Sequence, residues 1–184
     1  MAVQKEPILK RCRYLGISPA VMGVSKKESK RFKTVNNRKK VSEYGMQLKE
    51  KQKLKFIYGV LEKQFHHYFE IAEKMEGKTG DNLITCLESR LDSVVYRMGL
   101  ALTRREARQL VVHNHYTVNG KKVNIPSYRV KVGDVIALAE KDRTTPLWLN
   151  ANKDSFSATV VRMPQAEDID YEVASHLIVE LYSK

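Results

Sequence analysis

The apolar positions of this chain change period several times, and each change marks an element. Leu83, Leu87, Leu91, Val94, Val95 and Met98 recur near i, i+4, i+8, i+11, i+12 and i+15. This spacing lays one apolar stripe along a helix reaching about Met98, where Gly99 stops it. Asp81, in the loop GKTGDN at 77–82, is the candidate N-cap of that helix. A second helix is announced by Thr103-Arg104-Arg105-Glu106, a capping box. Its buried stripe is Ala107, Leu110 and Val111. The period then falls to two. Tyr116-Thr117-Val118, Asn119-Gly120 and residues 121–125 predict a hairpin, because Asn-Gly suits a turn needing positive φ at both central residues. Pro126-Ser127 breaks the second strand, residues 128–132 alternate, Gly133-Asp134 turns, and residues 135–138 make a short buried strand.

Upstream, Leu48, Phe56, Val60, Leu61, Phe65, Tyr68, Phe69 and Ala72 give partial helical periodicity over 43–76, with Gly59 dividing it into two helices. Residues 1–42 carry few large apolar side chains, and KKESKRFKTVNNRKK at 26–40 is expected to be irregular until a partner orders it. Residues 139–146 read as a linker, 147–149 and 155–161 as a strand pair, and HLIVELY at 176–182 as a short docked helix.

Charge changes the picture. The 184 residues have a formal net charge of +12. Residues 1–60 hold 16 Lys+Arg against 4 Asp+Glu, whereas 61–184 hold 17 of each, so the whole excess lies in the first third. A basic arm on a folded body points to a polyanion, nucleic acid before an anionic membrane. Two cysteines, Cys12 and Cys86, make neither a disulfide framework nor a ligand cluster and fit a reducing compartment. No run approaches the roughly 18 apolar residues of a membrane helix, and the start lacks the apolar core of a signal peptide, so the cytoplasm is expected.

Catalytic patterns are missing. There is no G-x-x-x-x-G-K-[ST], no G-x-G-x-x-G and no G-x-S-x-G. His66 and His67 have no ligand partners at metal spacing and read as ordinary helix residues; His113 and His115 flank a strand start as RNA contacts or plain surface. Asp92 reads as the partner of Arg90, Arg97 or an arginine of the next helix. Tyr14 and Phe32 are base-stacking candidates or, more commonly for isolated aromatics, small anchors against the body. Arg104, Arg105 and Arg108 put more positive charge at a helix N-terminus than its dipole favours, which a phosphate would offset. The polar run QLKEKQKLK at 47–55 is either a phosphate-facing or a solvated helix face. No enzyme, cofactor or small-molecule substrate is expected.

SRLDSVVYRMGLALTRREARQLVVHNHYTVNGKKVNIPSYRVKVGD closely resembles the S-four-type RNA-binding domain. EYGMQLKEKQKLKFIYGVLEKQF before it and HLIVELYSK after it resemble the bacterial small-subunit ribosomal protein S-four family, over most of 42–184. The resemblance implies an α+β fold. A mainly helical domain (43–86 and 147–184) is completed by the C-terminal segment, an RNA-binding domain of an αα-hairpin and small antiparallel sheet (87–146) is inserted in it, and a basic extension (1–42) precedes both. It implies primary binding of the small-subunit rRNA, nucleation of its five-prime domain, ribosomal proteins S-three and S-five as neighbours, contact with mRNA where it enters the subunit, and an effect on decoding accuracy. The RNA-facing positions it implies are Arg90, Arg104, Arg105, Arg108, Gln109, His113, Lys121, Lys122, Tyr128 and Arg129, with Gln47, Lys49, Lys51 and Lys53 from the basic helix.

The chain also departs from that family. Many relatives carry a four-cysteine zinc knuckle near the N-terminus; only Cys12, in RCRYLG, stands here, and one thiolate cannot hold a structural zinc, so a metal-free form is expected. Asn36-Asn37-Arg38-Lys39-Lys40 replaces a Gly-rich stretch, and a basic helical insert is nearly absent from 140–146. The same RNA-binding domain also serves rRNA-modifying enzymes and factors on stalled large subunits. The former need a catalytic domain for which no stretch is left, and the latter lack the helical domain and the ELYSK ending.

Overall fold

The computed structural model describes residues 6–24, 42–138, 149–152, 157–168, 170, 171 and 173–183. The basic stretch 26–40 with Phe32, the linker 139–146 and Leu147-Trp148 lie outside the described residues. The fold is α+β, in two compact units: residues 1–82 with 169–184, and residues 83–168.

The first unit is helical. Helix α1 (Ile8–Leu15) and a 3-10 turn (Pro19–Met22) lie in the basic extension, ahead of the stretch expected to be irregular. The reason is local: Ile8, Cys12 and Leu15 fall at i, i+4 and i+7, and Cys12, Leu15, Ile17 and Met22 are all buried. Gly16, at φ 73°, closes α1 by donating its N–H to Cys12. Helix α2 (Glu43–Tyr58) starts where the Ser42 hydroxyl accepts from the Gly45 N–H and ends at Gly59, φ 62°. Helix α3 (Glu62–Glu73) buries Phe65, Tyr68, Phe69 and Ala72. The Asn82 amide donates to the carbonyls of Ala72, Met75 and Glu76 at 3.1–3.3 Å, satisfying the end of α3. Helix α7 (Ser175–Tyr182) contributes the fully buried Ile178 and ends on Tyr182, whose ring lies 4.5 Å from that of Phe69 and 6.3 Å from that of Phe65.

The chain passes from the first unit to the second inside α4 (Thr79–Glu88). Asp81, expected at the N-cap, sits in the first turn of that helix. The single helix expected to reach Met98 is two, α4 and α5 (Leu91–Arg97). Arg90 between them is extended, at φ −69° and ψ 141°. Its neighbours bond instead to a segment far along the chain: Leu91 N–H to Tyr128 O at 2.8 Å, Asp92 N–H to Pro126 O at 3.2 Å, and Val130 N–H to Ser89 O at 2.9 Å. Residues 128–132, expected as a strand, provide one isolated bridge, Arg129 to Arg90.

Helix α6 (Arg104–Val112) follows. Strands β1 (Tyr116–Val118), β2 (Lys121–Lys122), β3 (Val135–Leu138), β4 (Leu149–Asn152) and β5 (Ser157–Val160) form an antiparallel sheet in the order β2-β1-β3-β5-β4. Strands β4 and β5 thus belong to this sheet, on the far side of the boundary expected at 146, because Val135, Ile136 and Ala137 pair with Thr159, Ala158 and Ser157. Strand β2 is shorter than the 121–125 expected, since Val123 keeps one bond to Tyr116 O before the chain turns at Pro126. Leu91, Val94, Val95, Met98, Ala107, Val111, Tyr116, Val118, Val130 and Ile136 make one core between the helix pair and the sheet.

Candidate nucleic-acid interface

Helix α6 positions most of the expected contacts. Its start is fixed by Thr103, whose hydroxyl accepts from the Glu106 N–H at 3.1 Å. The Glu106 carboxylate reaches back one residue beyond the cap, accepting from the Leu102 N–H at 2.7 Å. Ala107 and Val111 are buried, which turns Arg105 and Gln109 out to solvent. The helix closes at His113, followed by Asn114 in the left-handed region at φ 63°. His113 and His115 are both exposed, their ring centroids 6.4 Å apart.

The hairpin places two more cations. Asn119 and Gly120 have φ 50° and 76°, as the Asn-Gly turn requires, so Lys121 and Lys122 are held exposed beside the turn. Asn119 also fixes the hairpin to β3: its side-chain amide donates to Asp134 and accepts from the Val135 N–H, each at 2.9 Å. Arg129 is exposed and directs one guanidinium nitrogen at the Cys86 sulfur, 3.5 Å away. Burial pushes the Cys86 thiol up, and the Arg129 charge works against that shift. Tyr128 is half-buried against the core.

The other arginines are bound to carboxylates. Asp92 takes Arg90 through both oxygens, at 3.0 and 2.6 Å, and lies 3.6 Å from Arg108 Nη1. Glu88 takes Arg97 through both oxygens, at 3.1 and 2.9 Å, and the same Oε1 accepts from Arg104 at 3.0 Å. Arg104 also lies over the Tyr96 ring, 4.5 Å from its centroid. Arg90 is therefore not on an RNA-facing surface: at 2% exposure its guanidinium is spent on Asp92, against the expectation from resemblance. Glu88 and Tyr96 were not among the expected residues, and Arg97, a candidate partner of Asp92, is held by Glu88 instead. One signal for Glu88 was present: Glu88 and Asp92 are four apart, as are Arg104 and Arg108.

The basic helix of the first unit is engaged within its own fold. Lys51 and Lys55 bond the two oxygens of Glu62 at 2.9 and 2.6 Å, and the Tyr182 hydroxyl donates to Glu62 at 3.0 Å. Lys53 lies 3.6 Å from Glu50. Gln47, expected to face RNA, is fully buried, because its place on α2 falls on the packed side of the helix. Lys49 is partly exposed. Tyr14, with anchoring its commoner expected role, is instead 61% exposed beside the Arg11 guanidinium. Among the described residues no three His, Cys, Asp or Glu side chains gather as a metal site, and no helix is long and apolar enough to cross a membrane.

Comparison with known proteins finds two family models in tandem along the chain. The model of the ribosomal protein S4/S9 N-terminal domain matches residues 4–88, and the model of the S4 domain matches residues 89–136. Small ribosomal subunit protein uS4 of Agathobacter rectalis is 51% identical over the full length of both chains. The protein of that name from Fusobacterium nucleatum is 47% identical, also over the full length of both. That of Clostridioides difficile is 58% identical over 80% of this chain and 78% of its own.

Proposed function

The chain belongs to the family of small ribosomal subunit protein uS4, and from that membership we propose that it is a structural, non-enzymatic constituent of the small ribosomal subunit that binds the subunit's rRNA. The observation that carries the reading is the unbroken tandem of the two family domains over residues 4–136, with full-length relatives on either side of 50% identity. The geometry supports RNA as the partner, since one helix face and one hairpin expose Arg105, Gln109, His113, Lys121 and Lys122, residues suited to phosphate and sugar contacts. Arg104, Arg108, Tyr128 and Arg129 border them in the second unit, and Lys49 serves in the first. Arg90, Gln47, Lys51 and Lys53 act from within the fold.

The finer reading is that of a primary binder that nucleates the five-prime domain of the rRNA. The protein then lies beside ribosomal proteins S-three and S-five where mRNA enters the subunit, in the cytoplasm, and affects decoding accuracy. Sedimentation of lysate at low and high salt tests the core of this proposal. Co-migration with small subunits at both is expected; a free protein, or one on large subunits, overturns it. Reconstitution of subunits without the protein tests nucleation, which requires the five-prime domain to stay open to chemical probes until it is added back.

A further inference from the structure

Two buried carboxylates in the second unit have no role in the reading above, and their surroundings are alike. Glu88 and Asp92 lie four residues apart across the α4–α5 break. Their side chains are 2% and 7% exposed. Each is gripped through both oxygens by an arginine that is itself buried, Arg97 for Glu88 and Arg90 for Asp92. Each then reaches one arginine of α6: Glu88 to Arg104 at 3.0 Å, Asp92 to Arg108 at 3.6 Å. Arg104 and Arg108 are one helical turn apart, so the unit Arg–carboxylate–Arg occurs twice, in register.

The charge of each unit is +1. The inner arginine already neutralises its carboxylate, so the carboxylate can hold the outer arginine without cancelling that arginine's charge. Asp168, whose charge also reaches Arg97, is itself held by Arg162 at 2.7 and 2.8 Å. Arg104 and Arg108 keep 9% and 22% of their side chains exposed, so each offers only an edge of its guanidinium to a ligand. An arginine not held in this way spreads over many rotamers, and ordering it on binding RNA costs free energy. Held beforehand, it meets a phosphate at less cost.

We propose that Glu88 and Asp92 are positioning residues for rRNA binding: each, neutralised by its inner arginine, holds Arg104 or Arg108 oriented as one of two phosphate seats a helical turn apart. The proposal rests on the rRNA-binding reading of the α6 face.

The test exploits an inversion of sign. Glu88→Gln and Asp92→Asn each remove a negative charge beside an RNA-binding face, so simple electrostatics requires tighter binding of any RNA. Positioning requires the reverse for the cognate five-prime-domain rRNA: a loss of at least about tenfold, the equivalent of one charge-assisted hydrogen bond. The double variant E88M/R97M keeps the net charge, replaces the inner ion pair by apolar groups and leaves Arg104 without its carboxylate, so its stability is measured beside its binding. Its binding is expected to fall by a similar factor for cognate rRNA, with an unchanged salt slope and unchanged affinity for a scrambled RNA of equal length. All variants are made in the full chain and assayed well below their measured melting temperatures.

R104A/R108A separates the two readings. If it weakens cognate binding while E88Q, D92N and E88M/R97M do not, the arginines bind without being positioned and the proposal is overturned alone. If R104A/R108A also leaves binding unchanged, both the proposal and the α6 reading fall.

Discussion

Two buried side chains show how much a single polar atom decides. Among the described residues, neither amide atom of Gln47 has a hydrogen-bond partner, on a residue with 0% exposure. The Tyr116 hydroxyl is in the same position at the centre of the second unit's core. Burial pushes the Tyr116 phenol up, with the Glu106 charge adding to the shift, so it stays protonated at any ordinary pH. An orphaned buried polar group costs about 1–3 kcal/mol, while replacing it by an apolar group of the same shape costs little. Gln47→Met and Tyr116→Phe should therefore raise the unfolding free energy of the isolated protein by about 1 kcal/mol each. Chemical denaturation measures this, and a loss of stability for either would show that its polar atoms are satisfied in solution. Thr103→Ala should move the other way, losing about 1 kcal/mol with the α6 cap. Residue-level signals of this kind were legible where they are local. The Thr103 cap and the Asn119-Gly120 turn can be read from four consecutive residues each. The burial of Gln47 cannot, because it depends on which side of α2 the other helices cover, and the polar run 47–55 carries no clear apolar stripe to say so.

At the scale of elements, one carboxylate ties three helices together. Glu62 opens α3, takes Lys51 and Lys55 from α2, and accepts from the Tyr182 hydroxyl of α7. Burial alone would raise its pKa, but hydrogen bonds and charge from Lys55 and Lys51 win and hold it at about 2, below its ordinary 4.5. A depressed carboxyl contributes stability that is fully present above the unfolded-state value and is lost as pH falls through the folded one. The stability gap between the natural protein and Glu62→Gln should thus be constant above about pH 5 and close as pH falls from 4.5 toward 2. Thermal unfolding of both across that range checks it, and a gap that does not change with pH would remove Glu62 from the account. The docking of HLIVELY was legible as a short hydrophobic helix, but its partners were not, since Glu62 and Tyr182 are 120 residues apart. The division of α4 from α5 escaped for the same reason. The apolar spacing runs on through Leu87 and Leu91, whereas the acceptors and donors that hold Arg90 extended come from residues 126–130. Helix α1 is the opposite case. Its i, i+4, i+7 spacing was present, but the cationic stretch downstream dominated the composition of residues 1–42.

For the whole molecule, affinity and specificity draw on different parts of the chain. The second unit keeps its arginines largely paired: four share Glu88 and Asp92, and Arg162 holds Asp168. Residues 61–184 sum to zero charge, while residues 26–40 alone carry eight Lys+Arg and one Glu. Long-range attraction to a polyanion follows net charge, whereas discrimination follows fixed geometry. The two should therefore be separable by substitution. Deleting residues 1–40 is a poor probe, because α1 is packed through Cys12 and Leu15. Changing the eight cations of 26–40 to Gln leaves that packing in place. If all eight meet phosphate, the slope of log K against log salt becomes shallower by up to about 6 or 7, from roughly 0.7–0.9 per neutralised phosphate. The ratio of cognate to scrambled RNA affinity should stay constant, because both lose the same contacts. E88M/R97M should do the converse, keeping the slope and lowering the ratio. Binding titrations of the three full-length proteins at several salt concentrations give both quantities at once. An equal slope for the natural and Gln-substituted chains would show that the cations of 26–40 do not reach the RNA, and would move the electrostatic attraction back onto Arg105, Lys121, Lys122 and Arg129.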